Sequence, residues 1–223
     1  MEPMLYFVGF IVLLIVGIIG SIWKQKQRFL FWNNLASAWG YRYRMDDAYG
    51  YLNREDYPLF QSGHSKRIDH LIEGDIAGKQ LCLFDFTYKT GSGKNESTHY
   101  VSGLMLETPL VGYGLRVRPE NFFDRIAGFL GFEDINFEFE EFNRAFQVRC
   151  QNKKFAYDVF HTGMMEYMMN YRDMVLEWGV AGLLCYFASE RQFTREDAAR
   201  IKQFALGFVN RLPAYLKEMQ HDG

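Results

Sequence analysis

From Met4 to Trp23 the chain carries one unbroken apolar run, and Lys24, Lys26 and Arg28 follow it at once. About 20 residues at roughly 1.5 Å rise cover about 30 Å, the thickness of a bilayer's hydrocarbon core. A helix satisfies its own backbone in lipid, so the run predicts a transmembrane anchor. A cleaved signal peptide would need a basic start and a small-residue cleavage site. Met1-Glu2-Pro3 has no basic residue, and Ser21-Ile22-Trp23-Lys24 is a poor cleavage site. Basic residues stay on the cytoplasmic side, which predicts the N-terminus outside and residues 24–223 in the cytoplasm. Trp23, Lys24, Lys26 and Arg28 form the expected membrane-interface group, with Tyr6 near the other end. Gly9, Leu13, Gly17 and Ser21 fall on nearly one face, and such a small-residue strip lets a partner helix approach closely.

Beyond the anchor the period changes repeatedly. Phe29 to Trp39 has apolar residues at helical spacing and Gly40 as a stop, which predicts a helix, either lying on the membrane surface after Lys24, Lys26 and Arg28 or, as its uncharged polar face of Asn33, Asn34 and Ser37 favours, the first helix of the soluble domain. Residues 41–67 read as loop with short extended pieces. A period of two predicts strands over His70–Ile76, Gln80–Thr90, His99–Glu107 and Tyr113–Arg118. Tight turns between them imply an antiparallel meander. Asn121–Gly131 predicts a short helix and Phe137–Glu140 an alternating strand piece. Lys153–Phe160 and Met164–Tyr171 predict helices, with Met164, Met165, Met168 and Met169 as core packing. Val175–Phe187 predicts a hairpin turning at Gly179 or Gly182. The last helix opens on a capping-box pattern, Thr194-Arg195-Glu196-Asp197, and ends before Pro213. The whole predicts an α+β fold: a single N-terminal transmembrane helix, then a soluble domain of antiparallel sheet and packed helices. Residues 1–28 form the anchor and basic flank, residues 29–223 the domain, with a candidate seam near Gly131.

Hydrophobic residues make up 48% of the 223 positions and aromatic ones 17%, which suits a packed core. A formal charge of −2 argues against a nucleic-acid surface, which needs clustered Lys and Arg. Cys82, Cys150 and Cys185 are widely spaced and form no C-x-x-C pair, so they predict isolated buried thiols rather than a disulfide framework or zinc site.

Gly91-Ser92-Gly93-Lys94-Asn95 lacks the phosphate-loop pattern and predicts a hairpin tip. The histidines form no metal-ligand pattern, and no nucleophile elbow is present. No catalytic, metal or cofactor-binding residue is assigned. Asp85, on a strongly apolar strand, is the one carboxylate whose burial would matter. Glu138, Phe139, Glu140 and Glu141 sit in an acidic run threaded with Phe, which reads as a solvated strand edge or as a docking edge for a basic partner.

Phe142-Asn143-Arg144-Ala145-Phe146-Gln147-Val148-Arg149, Phe155-Ala156-Tyr157-Asp158-Val159 and Met164-Met165-Glu166-Tyr167 together resemble a family of prokaryotic membrane-anchored proteins, the DUF3137 type. Phe84-Asp85-Phe86-Thr87-Tyr88, Leu115-Arg116-Val117-Arg118-Pro119 and Leu212-Pro213 are similar to it as well. The resemblance covers most of residues 35–215. It implies a fold and a bacterial or archaeal cytoplasmic membrane; it implies no activity, since the family brings no assigned catalytic residues, and the matched packing-type residues support a non-catalytic reading. The expectation is a non-catalytic accessory or scaffold subunit of a larger membrane complex. Its partners would be the lipid bilayer and integral membrane proteins, with no cofactor. By topology alone this is analogous to the H subunit of photosynthetic reaction centres. The alternative is a membrane-tethered enzyme or small-ligand sensor with a pocket around Asp85, His70 and His99.

Overall fold

The computed structural model describes residues 2–120 and 133–218. The helix expected over Asn121–Gly131 and the seam near Gly131 lie outside them. Helix α1 runs without a break from Glu2 to Trp39, roughly 57 Å at 1.5 Å per residue. The boundary expected at residues 28/29 is therefore not a break in the backbone. Lys24-Gln25-Lys26-Gln27-Arg28 changes the polarity of the chain, yet all five are good helix formers, so nothing interrupts the hydrogen-bond ladder.

Gly40 stops the helix as expected. At φ +67° it takes the left-handed conformation, with Tyr41 N–H donating to Ala36 C=O and Gly40 N–H to Ser37 C=O. That is the paired bonding of a Schellman cap. Side chains 6 to 27 are exposed throughout, and the apolar stretch is long enough to cross a membrane. From Arg28 onward one stripe turns inward: Arg28, Trp32, Leu35, Ala36 and Trp39.

The remaining strands are β1 (Arg42–Arg44), β2 (His64–Ile76), β3 (Lys79–Thr90), β4 (Ser97–Glu107), β5 (Leu115–Pro119), β6 (Phe146–Arg149), β7 (Met174–Trp178) and β8 (Gly182–Phe187). They form one antiparallel sheet in the order β1-β2-β3-β4-β8-β7-β5-β6. Both sides of the unassigned stretch contribute strands to this sheet, since β4 pairs with β8. The β2–β3 turn is Ala77-Gly78, both at positive φ, as a two-residue hairpin turn of the primed kind requires.

The helices are α2 (Pro58–Gln61), α3 (Glu140–Ala145), α4 (Lys153–Val159), α5 (Thr162–Met168), α6 (Arg195–Arg211) and α7 (Ala214–Glu218). One sheet face carries Leu83, Leu104 and Leu176 under α1, α4, α5 and α6, with Met164, Met165 and Met168 buried there. The other carries Phe84, Phe86 and Tyr186 under Tyr51, Tyr57 and Phe60. Burial on both faces explains why β3 is closed to water from Leu81 to Tyr88.

Phe137–Glu140 corrects the expected strand. Asn143 accepts from Phe137 N–H (3.0 Å) and donates to Phe137 C=O (2.7 Å). This clamp closes a turn into α3, and pairing with β5 passes to Phe146–Arg149 instead. The α6 capping box forms as expected: Asp197 N–H donates to Thr194 Oγ1 (3.1 Å) and Thr194 N–H to Asp197 Oδ2 (3.0 Å). Thr194→Ala should lower the unfolding free energy by about 1 kcal/mol. Denaturant titration of the detergent-solubilised chain measures it, and a change under about 0.3 kcal/mol would show that the cap is redundant.

Candidate functional site

Arg28 and Asp85 meet where α1 lies over the β1–β2–β3 side of the sheet. The guanidinium donates through Nε to Asp85 Oδ2 (2.6 Å) and through Nη2 to Oδ1 (2.7 Å). It donates further to Phe193 C=O (2.7 Å) and Ser102 Oγ (2.9 Å). Asp85 also accepts from Trp32 Nε1 (2.8 Å), from the Ser102 hydroxyl and, at 3.4 Å, from Gln192. The Arg28 side chain is 16% exposed and that of Asp85 2%. Phe31 and Trp32, three and four residues on, place their rings 4.4 and 5.1 Å from the guanidinium carbon.

This arrangement joins three elements. α1 supplies Arg28 and Trp32, paired strands β3 and β4 supply Asp85 and Ser102 opposite one another, and the β8–α6 loop supplies Gln192 and Phe193. Five donors converge on a carboxylate with about four lone-pair sites, which leaves none aimed at a substrate. Bidentate Arg–carboxylate geometry fixes direction as well as energy. The chemistry suits a lock on the angle between helix and sheet.

The structure overturns the pocket expected around Asp85, His70 and His99. Asp85 is covered by α1. His70 shares that sheet face and bonds Tyr43 Oη (2.6 Å), its pKa pushed down by burial against the pull of Asp85 and Asp69. His99 lies across β3 on the opposite face, stacked on Tyr88 at 4.6 Å and bonded to Thr90 Oγ1 (2.8 Å).

Beside Asp197 in its capping box, Glu177 and Glu73 are also buried and held. Glu177 on β7 is fully buried, accepting from Tyr186 Oη (2.8 Å) and Leu59 N–H (3.3 Å). Burial pushes its pKa up to about 7 against those bonds. Glu73 pairs with Arg42 (3.1 Å), Arg44 (3.3 Å) and the Tyr49 hydroxyl. It lines a shallow open groove of about 600 Å³ with Tyr41, Arg42, Tyr49 and Gln80. The thiols are free and buried, and burial pushes Cys82 up to about 11 and raises Cys150 and Cys185 too. Such thiols are protonated at neutral pH and poor nucleophiles.

The remaining expected site residues fall as follows. Gly9, Leu13, Gly17 and Ser21 lie exposed along α1, and Leu13, Gly17 and Ser21 line a shallow apolar groove with Phe10 and Ile18. Trp23, Lys24 and Lys26 are exposed, whereas Arg28 turns away from that flank into the domain. Glu138, Glu140 and Glu141 are exposed and Phe139 is half-buried, on a loop and the first turn of α3 rather than a strand edge. The Arg28 contact was hidden in the sequence by its place after the apolar run. The signal that reveals it is spacing: residue 28 precedes 32, 35, 36 and 39 on one helical stripe.

No family model and no curated protein matches the chain. Among solved structures, the crystal structure of the mycobacterial trehalose monomycolate transport factor A, TtfA, is similar: TM-score 0.57 and 10% identity, over 81% of this chain and 89% of that one. At that identity the likeness is one of fold, an α+β fold with its antiparallel sheet covered by helices.

Proposed function

We propose that this chain is a non-catalytic accessory subunit of a larger complex in a prokaryotic cytoplasmic membrane. One helix spans the bilayer with its N-terminus outside, and the sheet domain lies in the cytoplasm. The observation that carries the reading is the unbroken α1. It passes from an exposed apolar stretch straight into the core, where Arg28 and Asp85 lock it. A tether that only localises a domain needs no rigid joint to it, and a flexible linker would serve. A helix fused to the core sets the angle at which the domain meets its neighbours in the bilayer.

Two further features support this reading. The fold is similar to that of a transport factor, TtfA, which favours an accessory over a catalytic part. The strip of Gly9, Gly17 and Ser21 offers a face for an integral membrane partner. The resemblance to the DUF3137 type belongs to the same proposal. In it the exposed Glu138, Glu140 and Glu141 beside Phe139 dock a basic surface of the partner.

Extraction of native membranes in a mild detergent should yield this chain in a species much larger than the monomer, together with an integral membrane protein. Gly17→Leu should reduce that recovery severalfold while leaving the sheet folded. A clean monomer from gently extracted membranes would overturn the reading. A second reading, a membrane-tethered small-ligand sensor, draws on the Glu73 groove, whose wall includes a buried Tyr41 hydroxyl without a hydrogen-bond partner.

A further inference from the structure

The contacts of α1 fix which end of the sheet faces the bilayer. At the far end of the helix, Trp39 stacks edge-on against Tyr41, whose ring lies against Gly74, opposite Leu81 of β3. Ten residues nearer the membrane, Phe29 packs on Tyr43, which touches His70, opposite Asp85. Arg28 on Asp85 repeats the same direction. So α1 runs antiparallel to β3. The start of β2, the end of β3 and the tip at Gly91–Asn95 point toward the membrane, and the Ala77-Gly78 turn points away.

Trp23 lies five residues above Arg28, about 7–8 Å along the helix at 1.5 Å per residue. Thr90 lies five residues beyond Asp85, about 16 Å at 3.3 Å per residue. At any crossing angle between helix and strand up to about 60°, the tip reaches the level of Trp23. Headgroups occupy a layer of roughly 5–8 Å there. Within residues 64–70 and 87–100, Arg67 pairs with Asp69 (2.5 Å) and Lys89 with Glu96 (2.7 Å), and Lys66 and Lys94 leave an excess of two positive charges there, in a chain with a net charge of −2. Lys24 and Lys26 add to them from α1. Lys94 and Ser92 are exposed on the tip, the Arg67 side chain is 58% exposed, and Tyr100 is 49% exposed on the same end. Basic and aromatic side chains are the groups that favour an anionic interface.

We infer that the β3–β4 tip and the start of β2 form a second membrane contact, binding the headgroups of anionic phospholipids and holding the domain end-on against the leaflet. The inference rests on α1 spanning the bilayer. The Arg28–Asp85 lock and this contact then act at two separate points, which prevents the domain from swinging about the helix.

The test uses the full chain in lipid nanodiscs, with a fluorophore on Ser92→Cys, Ala77→Cys or Val12→Cys. The native thiols are buried and stay unlabelled. Headgroup-quencher lipids should quench the label at 92 in discs containing phosphatidylglycerol and leave the label at 77 bright. Quenching at 92 should fall at least about threefold in pure phosphatidylcholine, in high salt, or with Arg67→Gln and Lys94→Glu together. A label at 92 as bright as that at 77, or quenched equally in both lipids and at all salts, would overturn the inference. The label at 12, read with acyl-chain quenchers, separates the two failures. If it is quenched while 92 stays bright, only the headgroup contact is lost. If it too stays bright, the transmembrane reading fails with it.

Discussion

Asp85→Ala should lower the unfolding free energy of the detergent-solubilised chain by about 3–5 kcal/mol, the usual cost of breaking a buried pair from one side. The alanine leaves the Arg28 guanidinium without its counter-ion in a site where its side chain is 16% exposed, and takes the acceptor from Trp32 Nε1. Arg28→Met with Asp85→Leu should recover most of that loss, because apolar replacement of a buried pair removes the desolvation penalty along with the attraction. The recovered protein would have a core but no bidentate lock. Its domain should show a wider range of orientations relative to α1, readable as broadened spin-label distances between α1 and the sheet. Denaturant unfolding of the single and double variants checks the energies. A loss under 1 kcal/mol for Asp85→Ala would mean that water already reaches the pair.

Glu177 predicts a fall in stability as pH rises, opposite to the usual behaviour of a salt-bridged carboxylate. Its pKa is 4.5 when free and about 7 when folded. Between those values the native state keeps a proton that the unfolded chain has lost. The stabilisation is fully present below about pH 4.5 and disappears as pH rises through 7. At about 1.4 kcal/mol per pKa unit this amounts to about 3 kcal/mol. Glu177→Gln keeps an acceptor for Tyr186 and cannot titrate. The difference in unfolding free energy between wild type and variant should therefore change by that amount from pH 4.5 to 7.5. A constant difference across the range would show that the carboxyl titrates normally.

Much of the fold is legible in local pattern. The apolar run, the Gly40 stop, the β2–β3 and β7–β8 hairpins and the Thr194 capping box all arise from residues within a few positions of one another. Asp85 stands out in the same way, as a carboxylate where neighbours on both sides are apolar. Its partner does not, because Arg28 lies 57 residues away just after a long apolar run, where a basic residue has a sufficient explanation of its own. The acidic run shows a different failure. Phe137-Glu138-Phe139-Glu140 alternates as a strand does, but Asn143 offers the Phe137 backbone two hydrogen bonds at once, and that closure outcompetes the ladder. His70 and His99 fail by register, since one intervening strand places them on opposite faces.

By itself the sequence determined that one N-terminal helix is apolar and long enough to cross a bilayer, that a mixed domain with antiparallel strands follows, and which segments turn. These properties depend on short-range periodicity and on transfer free energy, both of which are additive along the chain. Only the tertiary structure decided that α1 is fused to the sheet rather than hinged, which side chain neutralises Asp85, and which end of the sheet lies toward the apolar half of α1. Those outcomes depend on pairing between residues far apart in sequence. Burial makes such pairing strong, because a charge removed from water must find its partner wherever the fold brings one.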